Sequence, residues 1–255
     1  MNMALLDVQD LSIHFGGVKA VQNVSFSIDA GIVYAVIGPN GAGKTTLFNL
    51  ITGIYTPTSG SILLDGQPIQ GKSPDVLAQQ GVARTFQNLQ ICMNMSAIEN
   101  VMVGAHLRLD RNLLKAALRW PSIKSRDRDL RAEAVELMRF VGLEAYTDAR
   151  ADAMSYGALK RLEIARALAM KPRLLFLDEP AAGLNPKETI EVDALIRKVA
   201  DSGVTVVLVE HDMKMVMNLS DRILVLDYGR KLAEGTGAEV RRNPDVIAAY
   251  LGAHA

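Results

Sequence analysis

A glycine-rich segment near the start of the chain has residue types and spacing suited to holding phosphate groups. It matches the pattern GxxxxGK(S/T) in full. Its glycines allow backbone conformations that direct successive N–H groups at phosphate oxygens, and a following helix N-terminus adds a favourable dipole. In this pattern Lys44 reaches the β- and γ-phosphates, and the Thr45 hydroxyl can ligate Mg²⁺. The candidate nucleotide-binding residues are Gly38, Asn40, Gly41, Ala42, Gly43, Lys44, Thr45 and Thr46.

Two adjacent carboxylates, Asp178 and Glu179, follow the apolar run Leu174–Leu177. Ligands bind at the carboxyl edge of a parallel sheet, which is where such a strand would end. We expect Asp178 to hold Mg²⁺, directly or through water, and Glu179 to polarise an attacking water as the general base. An acidic turn after a strand is common by itself. Combined with the phosphate-binding segment, the pair predicts nucleotide hydrolysis.

Strand and helix patterns at both ends of the chain supply the elements that must position these groups. Residues up to about 29 alternate as in an antiparallel β region. Ile32–Ile37 is apolar throughout and Val204–Val209 is apolar except for Thr205, as in a buried parallel sheet. Apolar residues recur with helical spacing from Val192 to Val199, which makes this part a βαβ unit. The other predicted elements are helices at 44–52 and 244–251, strands near 61–65 and 82–86, and a hairpin at 222–226 and 231–234.

Strand signals are few between Ser96 and about Met170, so this part is expected to be helical. Four apolar residues, at 130, 134, 137 and 141, fall on one helix face. We expect a short helix at Asn112–Leu118, broken at Pro121, and a later helix at Gly157–Met170. The predicted fold is an α/β P-loop NTPase core with a mixed or parallel sheet, an N-terminal antiparallel β region and an inserted helical subdomain. Its parts are 1–95, 96–170 and 171–255.

The composition excludes several classes of partner and environment. Charge is balanced, with 28 Lys and Arg against 28 Asp and Glu, which gives no electrostatic reason to expect nucleic acid. Cys92 is the single cysteine, so no disulfide can form within the chain. No stretch approaches the roughly 18 apolar residues needed to span a bilayer. A membrane function would therefore act from the cytoplasmic side through a partner.

A further motif precedes the two carboxylates and carries a family resemblance. Met154-Ser155-Tyr156-Gly157-Ala158 stands where the nucleotide-binding subunits of ABC transporters have a signature, typically LSGGQ, and the segment 161–168 looks like their signature helix. The sequence therefore resembles those subunits. The resemblance implies ATP and Mg²⁺ as cofactors. It also implies a head-to-tail dimer, in which each ATP lies between one phosphate loop and the other subunit's Ser155, Tyr156 and Gly157.

Single positions can be matched to the same family. Gln87 resembles the glutamine that contacts Mg²⁺ and senses the membrane partner, and His211 resembles the histidine that contacts the γ-phosphate. Phe15 resembles the aromatic residue that stacks on adenine. Asn185 lies in the segment that crosses the dimer, the D-loop, where the family usually has aspartate. Ala158 replaces the signature glutamine. Because both departures leave Lys44, Asp178, Glu179 and Ser155 in place, we expect activity to survive.

The resemblance extends over essentially the whole chain and can be narrowed to one branch. The segments 84–88, 179–189, 210–213 and 243–252 look like the ATPases of branched-chain and hydrophobic amino-acid importers. The branch implies a second ATP-binding subunit (identical or homologous), two transmembrane permease subunits and, indirectly, a periplasmic or extracellular solute-binding protein. The expected location is peripheral, on the cytoplasmic face of the inner membrane.

Three alternatives remain open at this stage. The chain could serve another transport system, such as a lipopolysaccharide exporter, which shares most of these features. It could be a soluble ABC protein acting on ribosomes or DNA, although those usually carry two nucleotide modules or a long coiled coil. It could also be a small-molecule P-loop kinase, in which the signature helix would have no purpose.

Overall fold

Two β-sheets form the centre of the protein. The computed structural model describes residues 4–108 and 121–252. The larger sheet has six strands in the order β10-β9-β3-β8-β7-β6, and the smaller has four in the order β2-β1-β4-β5. The strands are β1 Leu6–Phe15, β2 Val18–Ile28, β3 Val33–Ile37, β4 Ser59–Leu64, β5 Gln67–Pro68, β6 Val82–Arg84, β7 Leu174–Asp178, β8 Thr205–Val209, β9 Arg222–Asp227 and β10 Arg230–Gly235.

The larger sheet separates two hydrophobic cores. Strands β3, β6, β7, β8 and β9 run parallel, and β10 adds an antiparallel edge. Successive side chains on a strand point to opposite faces, so Leu175 and Leu177 enter one core while Leu174 and Phe176 enter the other. Because both faces are covered, every residue of β3, β7 and β8 is buried. This explains why those strands are almost entirely apolar, with Asp178 and Thr205 at strand ends, rather than alternating.

Nine helices surround the sheets in the described residues. They are α1 Lys44–Ile51, α2 Pro74–Gln79, α3 Ala97–Gly104, α4 Pro121–Phe140, α5 Tyr156–Leu168, α6 Pro186–Asp201, α7 Met213–Leu219, α8 Gly237–Arg242 and α9 Pro244–Gly252. Within residues 4–108 and 121–252, no helix combines the length and apolar character required to cross a bilayer.

Helices α3, α4 and α5, which follow β6 and precede β7 in the sequence, pack against one another. Leu130, Ala134, Met138 and Leu162 are buried in the core that these helices share with one face of the large sheet. A Cβ atom at Gly104 would overlap the carbonyl of Arg166, so only glycine lets α3 approach α5 this closely. The helical character predicted for this part is confirmed by the structure.

Several boundaries differ from those expected. Strand β6 ends at Arg84 rather than Phe86, because the chain leaves the sheet there and Phe86 becomes exposed. The helix predicted at 112–118 lies outside the described residues. Pro121, which was expected to break that helix, begins α4, since the fixed φ of proline suits a first helical turn. Helices α2, α3, α7 and α8 were not predicted. The division at residues 95 and 170 remains a prediction.

Candidate nucleotide site

The glycine-rich segment connects β3 to α1, as its sequence predicted. Gly43 immediately precedes the helix with a φ of 97°, a left-handed conformation that favours glycine. A Cβ atom there would lie 2.6 Å from the carbonyl oxygen of Ala20 on β2. The loop therefore needs glycine for both its conformation and its close approach to the neighbouring hairpin. Its N–H groups and the first turn of α1 form a cradle of the kind that binds phosphate.

Lys44 begins α1 and turns its side chain back over the loop. Its Nζ donates hydrogen bonds to the carbonyl oxygens of Gly38 at 2.8 Å and Pro39 at 3.1 Å. Burial lowers the pKa of Lys44, and the carboxylates of Glu179 and Asp178 oppose that shift. A cation is thus held beside the loop within the field of the predicted general base, Glu179, and of the predicted Mg²⁺ ligand, Asp178.

A cavity of about 560 Å³ lies over this loop. One wall is the turn between β1 and β2, and the other is the turn between β9 and β10. The Gly229 N–H donates to the Ala42 carbonyl at 3.0 Å, and the Gln22 N–H donates to the Gly229 carbonyl at 2.7 Å, which ties both turns to the loop. The lining residues are Gly17, Val18, Lys19, Ala20, Gln22, Gly41, Ala42, Gly43, Lys44, Thr45, Thr46, Tyr228 and Gly229.

Phe15 stands beside this cavity but does not belong to its lining. Its ring meets the ring of Tyr55 edge to face, with centroids 5.2 Å apart, and its side chain is half exposed. Tyr228 does line the cavity and is 82% exposed. The structure therefore provides two exposed aromatic residues near the loop. The adenine contact of Phe15 stays a prediction.

The two acids end β7 in different environments. Asp178 is buried, and its Oδ2 accepts a hydrogen bond from Arg84 Nη2 at 2.9 Å. Glu179 follows with a φ of 50°, a left-handed conformation that is uncommon for residues other than glycine. This turn directs its side chain away from the strand, towards Gln87 and His211.

Two predicted residues converge on the Glu179 carboxylate. Gln87 Nε2 donates to Oε2 at 3.2 Å, and His211 Nε2 lies 3.0 Å from Oε1. Each group comes from the end of a different strand, Gln87 after β6, Glu179 after β7 and His211 after β8. Those strands are neighbours in the sheet, which brings the groups together. A carboxylate held at both oxygens has a fixed orientation, as a general base requires.

Ser155 caps the N-terminus of α5 at a separate place in the fold. Its Oγ accepts from the Ala158 N–H at 3.3 Å, and neither it nor its neighbours line the cavity over the phosphate loop. Tyr156 is exposed and packs on Gly183, whereas Gly157 is buried against the Glu188 side chain. The predicted signature is therefore an exposed helix start outside the nucleotide cavity of the same chain.

Asn185 has a structural role in the described fold. Its Oδ1 accepts hydrogen bonds from the N–H groups of Lys187 and Glu188, each at 3.0 Å, and the Glu188 carboxylate accepts from the Asn185 N–H. This reciprocal arrangement is a capping box at the start of α6. The role of Asn185 across a dimer remains a prediction.

A family model described as "ABC transporter" matches residues 21–182, more than half of the chain. The chain belongs to the ABC transporter family. A second model, described as "Branched-chain amino acid ATP-binding cassette transporter", matches residues 230–255 of this ABC protein.

Individual relatives of the ABC protein match along nearly their whole length. The high-affinity branched-chain amino acid transport ATP-binding protein BraF of Pseudomonas aeruginosa is 46% identical over 99% of both chains. The corresponding LivG protein of Escherichia coli is 45% identical over the same shares. A solved ATP-binding cassette of an ABC transporter, in its ADP conformation, matches with a TM-score of 0.86. It is 31% identical and covers 98% of this chain and 99% of that one. The predicted family and fold class are confirmed.

The side-chain oxygen atoms of the predicted metal ligands suit a Mg²⁺ ion that arrives bound to a nucleotide. Thr45, Gln87 and Asp178 offer a hydroxyl, an amide and a carboxylate, which are oxygen donors of the type that Mg²⁺ prefers. Residues 4–108 and 121–252 contain no group of three His, Cys, Asp or Glu able to hold a metal by itself. Since Mg²⁺ usually binds through few protein ligands together with substrate phosphates, this sparse donor set fits.

Sequence patterns missed several residues that the ABC fold places around the site. Buried Glu210 accepts from the N–H groups of Ala181 and His211, and burial raises its pKa. Glu163 on α5 accepts from the Gln90 N–H at 3.4 Å, just beyond Gln87. Arg84 pairs with Asp178. All three lie in segments that resemble the family, 84–88, 161–168 and 210–213, but the resemblance assigned them no role. A charge beside or inside an apolar strand or helix was the further signal available.

Proposed function

We propose that this chain is the ATP-binding and ATP-hydrolysing subunit of an ABC importer for branched-chain or related hydrophobic amino acids. The relatives that match over 99% of its length are named as branched-chain amino acid transport ATP-binding proteins, which supports this assignment over the exporter, soluble ABC and kinase alternatives. The observation that carries the enzymatic part is the convergence of Gln87 and His211 on Glu179 at the sheet edge.

The described contacts support a part for each of these residues in hydrolysis. The loop from Gly38 to Thr46 binds the phosphates through its N–H groups, and Lys44 exchanges its carbonyl contacts for phosphate oxygens. Glu179 accepts the proton of the attacking water while His211 and Gln87 hold its carboxylate. Thr45, Asp178 and Gln87 would hold Mg²⁺, which neutralises charge on the phosphates.

Hydrolysis requires two copies of the nucleotide-binding subunit, because Ser155 opens α5 outside the nucleotide cavity of its own chain. In a head-to-tail dimer, the exposed start of α5 from one subunit closes the cavity of the other. The second subunit is identical or homologous. The pair acts on two permease subunits at the cytoplasmic face of the membrane, and a solute-binding protein delivers the amino acid to them.

Two measurements test this proposal. Mg²⁺-dependent ATPase activity should rise more than proportionally with protein concentration, and both Lys44→Ala and Ser155→Ala should abolish it. An equal mixture of the two variants should recover part of the activity, because a mixed dimer contains one intact composite site. Concentration-independent activity that survives Ser155→Ala would contradict the composite site. For the substrate, ATPase activity of the reconstituted transporter should rise with leucine-loaded binding protein and not with glutamate.

A further inference from the structure

Arg84 places a buried guanidinium against the Asp178 carboxylate. Nη2 of Arg84 lies 2.9 Å from Oδ2 of Asp178, and both side chains are 8% exposed. The same guanidinium donates through Nη1 to Asn49 Oδ1 at 2.6 Å and to Thr52 Oγ1 at 3.0 Å. One side chain on β6 therefore connects α1, which follows the phosphate loop, to the acid at the end of β7.

The surroundings of Arg84 restrict its guanidinium to this position. The guanidinium carbon lies 5.7 Å from the centre of the Phe48 ring and 5.2 Å from that of Phe86. Aromatic rings favour a cation at such distances. A planar fork fixed by hydrogen bonds and rings presents Nη2 in one direction, which a flexible ammonium would not do.

This arrangement determines which Asp178 oxygen can face a metal. Oδ2 is occupied by Arg84, and the Asp178 N–H donates to Thr85 Oγ1 at 3.3 Å, so both the side chain and the backbone of Asp178 are held from β6. The remaining oxygen, Oδ1, is the one that can accept Mg²⁺ or its bound water. Groups that orient a metal ligand in this way contribute to metal affinity without touching the metal.

We propose that Arg84 is a positioning residue that aims Asp178 Oδ1 at Mg²⁺ and ties that orientation to the helix behind the phosphate loop. This inference rests on the proposed ATP-binding function. Because Gln87 follows Arg84 by three residues, the same side chain also anchors the start of the loop that carries Gln87. A change at Arg84 therefore affects the Mg²⁺ requirement more than nucleotide binding itself.

The test measures how Mg²⁺ changes nucleotide binding, in proteins that carry Glu179→Gln so that no turnover interferes. Binding of a fluorescent ATP analogue is recorded at increasing Mg²⁺ for the parent, Arg84→Ala and Arg84→Lys. Removing a group that orients a metal ligand costs about 10- to 100-fold in metal affinity, so Arg84→Ala should raise the half-maximal Mg²⁺ concentration by that factor. The half-maximal Mg²⁺ concentration of Arg84→Lys should lie between those of the parent and Arg84→Ala, because lysine keeps the positive charge but lacks the planar guanidinium.

Two controls separate positioning from general damage. Arg173→Ala removes an arginine at the opposite end of β7, where it pairs with Asp65 on the surface at 3.1 Å, and should leave the Mg²⁺ curve unchanged. Nucleotide affinity in EDTA should agree within about twofold between the parent and Arg84→Ala, which is under 0.5 kcal/mol. If Arg84→Ala fails to fold, Asn49→Ala with Thr52→Val removes the guanidinium's anchors on α1 and should shift the curve in the same direction.

The outcomes distinguish this inference from the proposed function. A Mg²⁺ curve for Arg84→Ala that superimposes on the parent would overturn the positioning role, even if the melting temperature fell. A loss of nucleotide affinity in EDTA as large as the loss measured with Mg²⁺ would also overturn the positioning role. If the parent showed no Mg²⁺-dependent binding of ATP, and Lys44→Ala behaved identically, the proposed function itself would fail.

Discussion

The imidazole Nε2 of His211 lies 3.0 Å from Oε1 of Glu179, although His211 follows 32 residues later in the chain. Gln87 holds the other carboxylate oxygen from a third strand end. The general base of the proposed reaction is therefore held by side chains from two other strand ends.

Glu179→Gln should bind ATP and lose hydrolysis. The amide preserves the size of the side chain but accepts no proton, and losing a general base costs about 10²- to 10⁴-fold in rate. Phosphate release and nucleotide binding measure the two properties separately, and the variant should accumulate as a closed dimer. Glu191→Gln, which alters an acid paired with Arg161 at 3.4 Å, is the matched control. Normal hydrolysis by Glu179→Gln would show that the base assignment is wrong.

His211→Ala should reduce hydrolysis through its effect on Glu179. Losing the contact at Oε1 leaves the carboxylate held by Gln87 alone among the contacts described here. In a double-mutant cycle with Glu179→Gln, adding His211→Ala should cause little further loss, because residues acting on one step are not additive. If the two changes instead reduced the rate of hydrolysis by independent factors that multiply in the double variant, His211 would act on the phosphate and not on the base.

Gly43→Ala should abolish nucleotide binding. The new methyl group would combine a left-handed φ of 97° with an approach of 2.6 Å to the Ala20 carbonyl, so the loop must move. Gly203→Ala is the matched control, since its φ is 94° but nothing lies within 4 Å of the added atom. That control should lose some stability and keep its affinity for ATP. Equal ATP affinity in Gly43→Ala and the parent would refute the requirement for glycine at position 43.

Asn185 allows the helix cap and the dimer contact to be tested separately. Asn185→Ala removes a side chain that caps α6 and should cost about 1 kcal/mol of stability. Asn185→Asp keeps the cap, because aspartate and asparagine cap equally well. Thermal unfolding should therefore detect the alanine change only. If Asn185 also acts across the dimer, Asn185→Asp should alter ATPase activity at unchanged stability. Unchanged ATPase activity would contradict the dimer contact and show that Asn185 serves to cap α6.

Glu133 should make the stability of the helical region depend on acid pH. It accepts hydrogen bonds from Arg108 at 2.7 Å and Lys171 at 3.0 Å, and the Arg108 hydrogen bond above all lowers its pKa from 4.5 to about 2. A folded-state pKa below the unfolded value gives stability that is present above about pH 4.5 and lost as the pH falls towards 2.

The Glu133 effect can be isolated with one variant. Glu133→Gln should melt below the parent at pH 7, and the difference should shrink as the pH falls from about 4.5 towards 2, because the unfolded parent then takes up a proton that the folded parent still excludes. The effect should be modest, because the side chain is 39% exposed and solvent screens the pair. Glu136→Gln, at a more exposed pair with Arg139, is the control. A melting difference that stayed constant with pH would contradict the assignment.

The sequence by itself determined the local elements that carry the site. The glycine pattern from Gly38 to Thr46 specified a strand, a tight loop and a helix, because backbone sterics and helix dipoles act within a few residues. Apolar runs such as Leu174–Leu177 specified buried strands, because a strand covered on both faces cannot alternate. Glu179 was located by the same kind of short-range pattern, whereas Gln87 and His211 were located by family resemblance.

Only the tertiary structure decided how those residues meet. The order of β6, β7 and β8 in the large sheet brings Gln87, Glu179 and His211 to one edge, and no local pattern encodes that order. The partnership of Arg84 with Asp178 likewise joins positions 94 residues apart. Such a pair forms because burial makes an unpartnered charge costly, and the fold determines which partner is within reach.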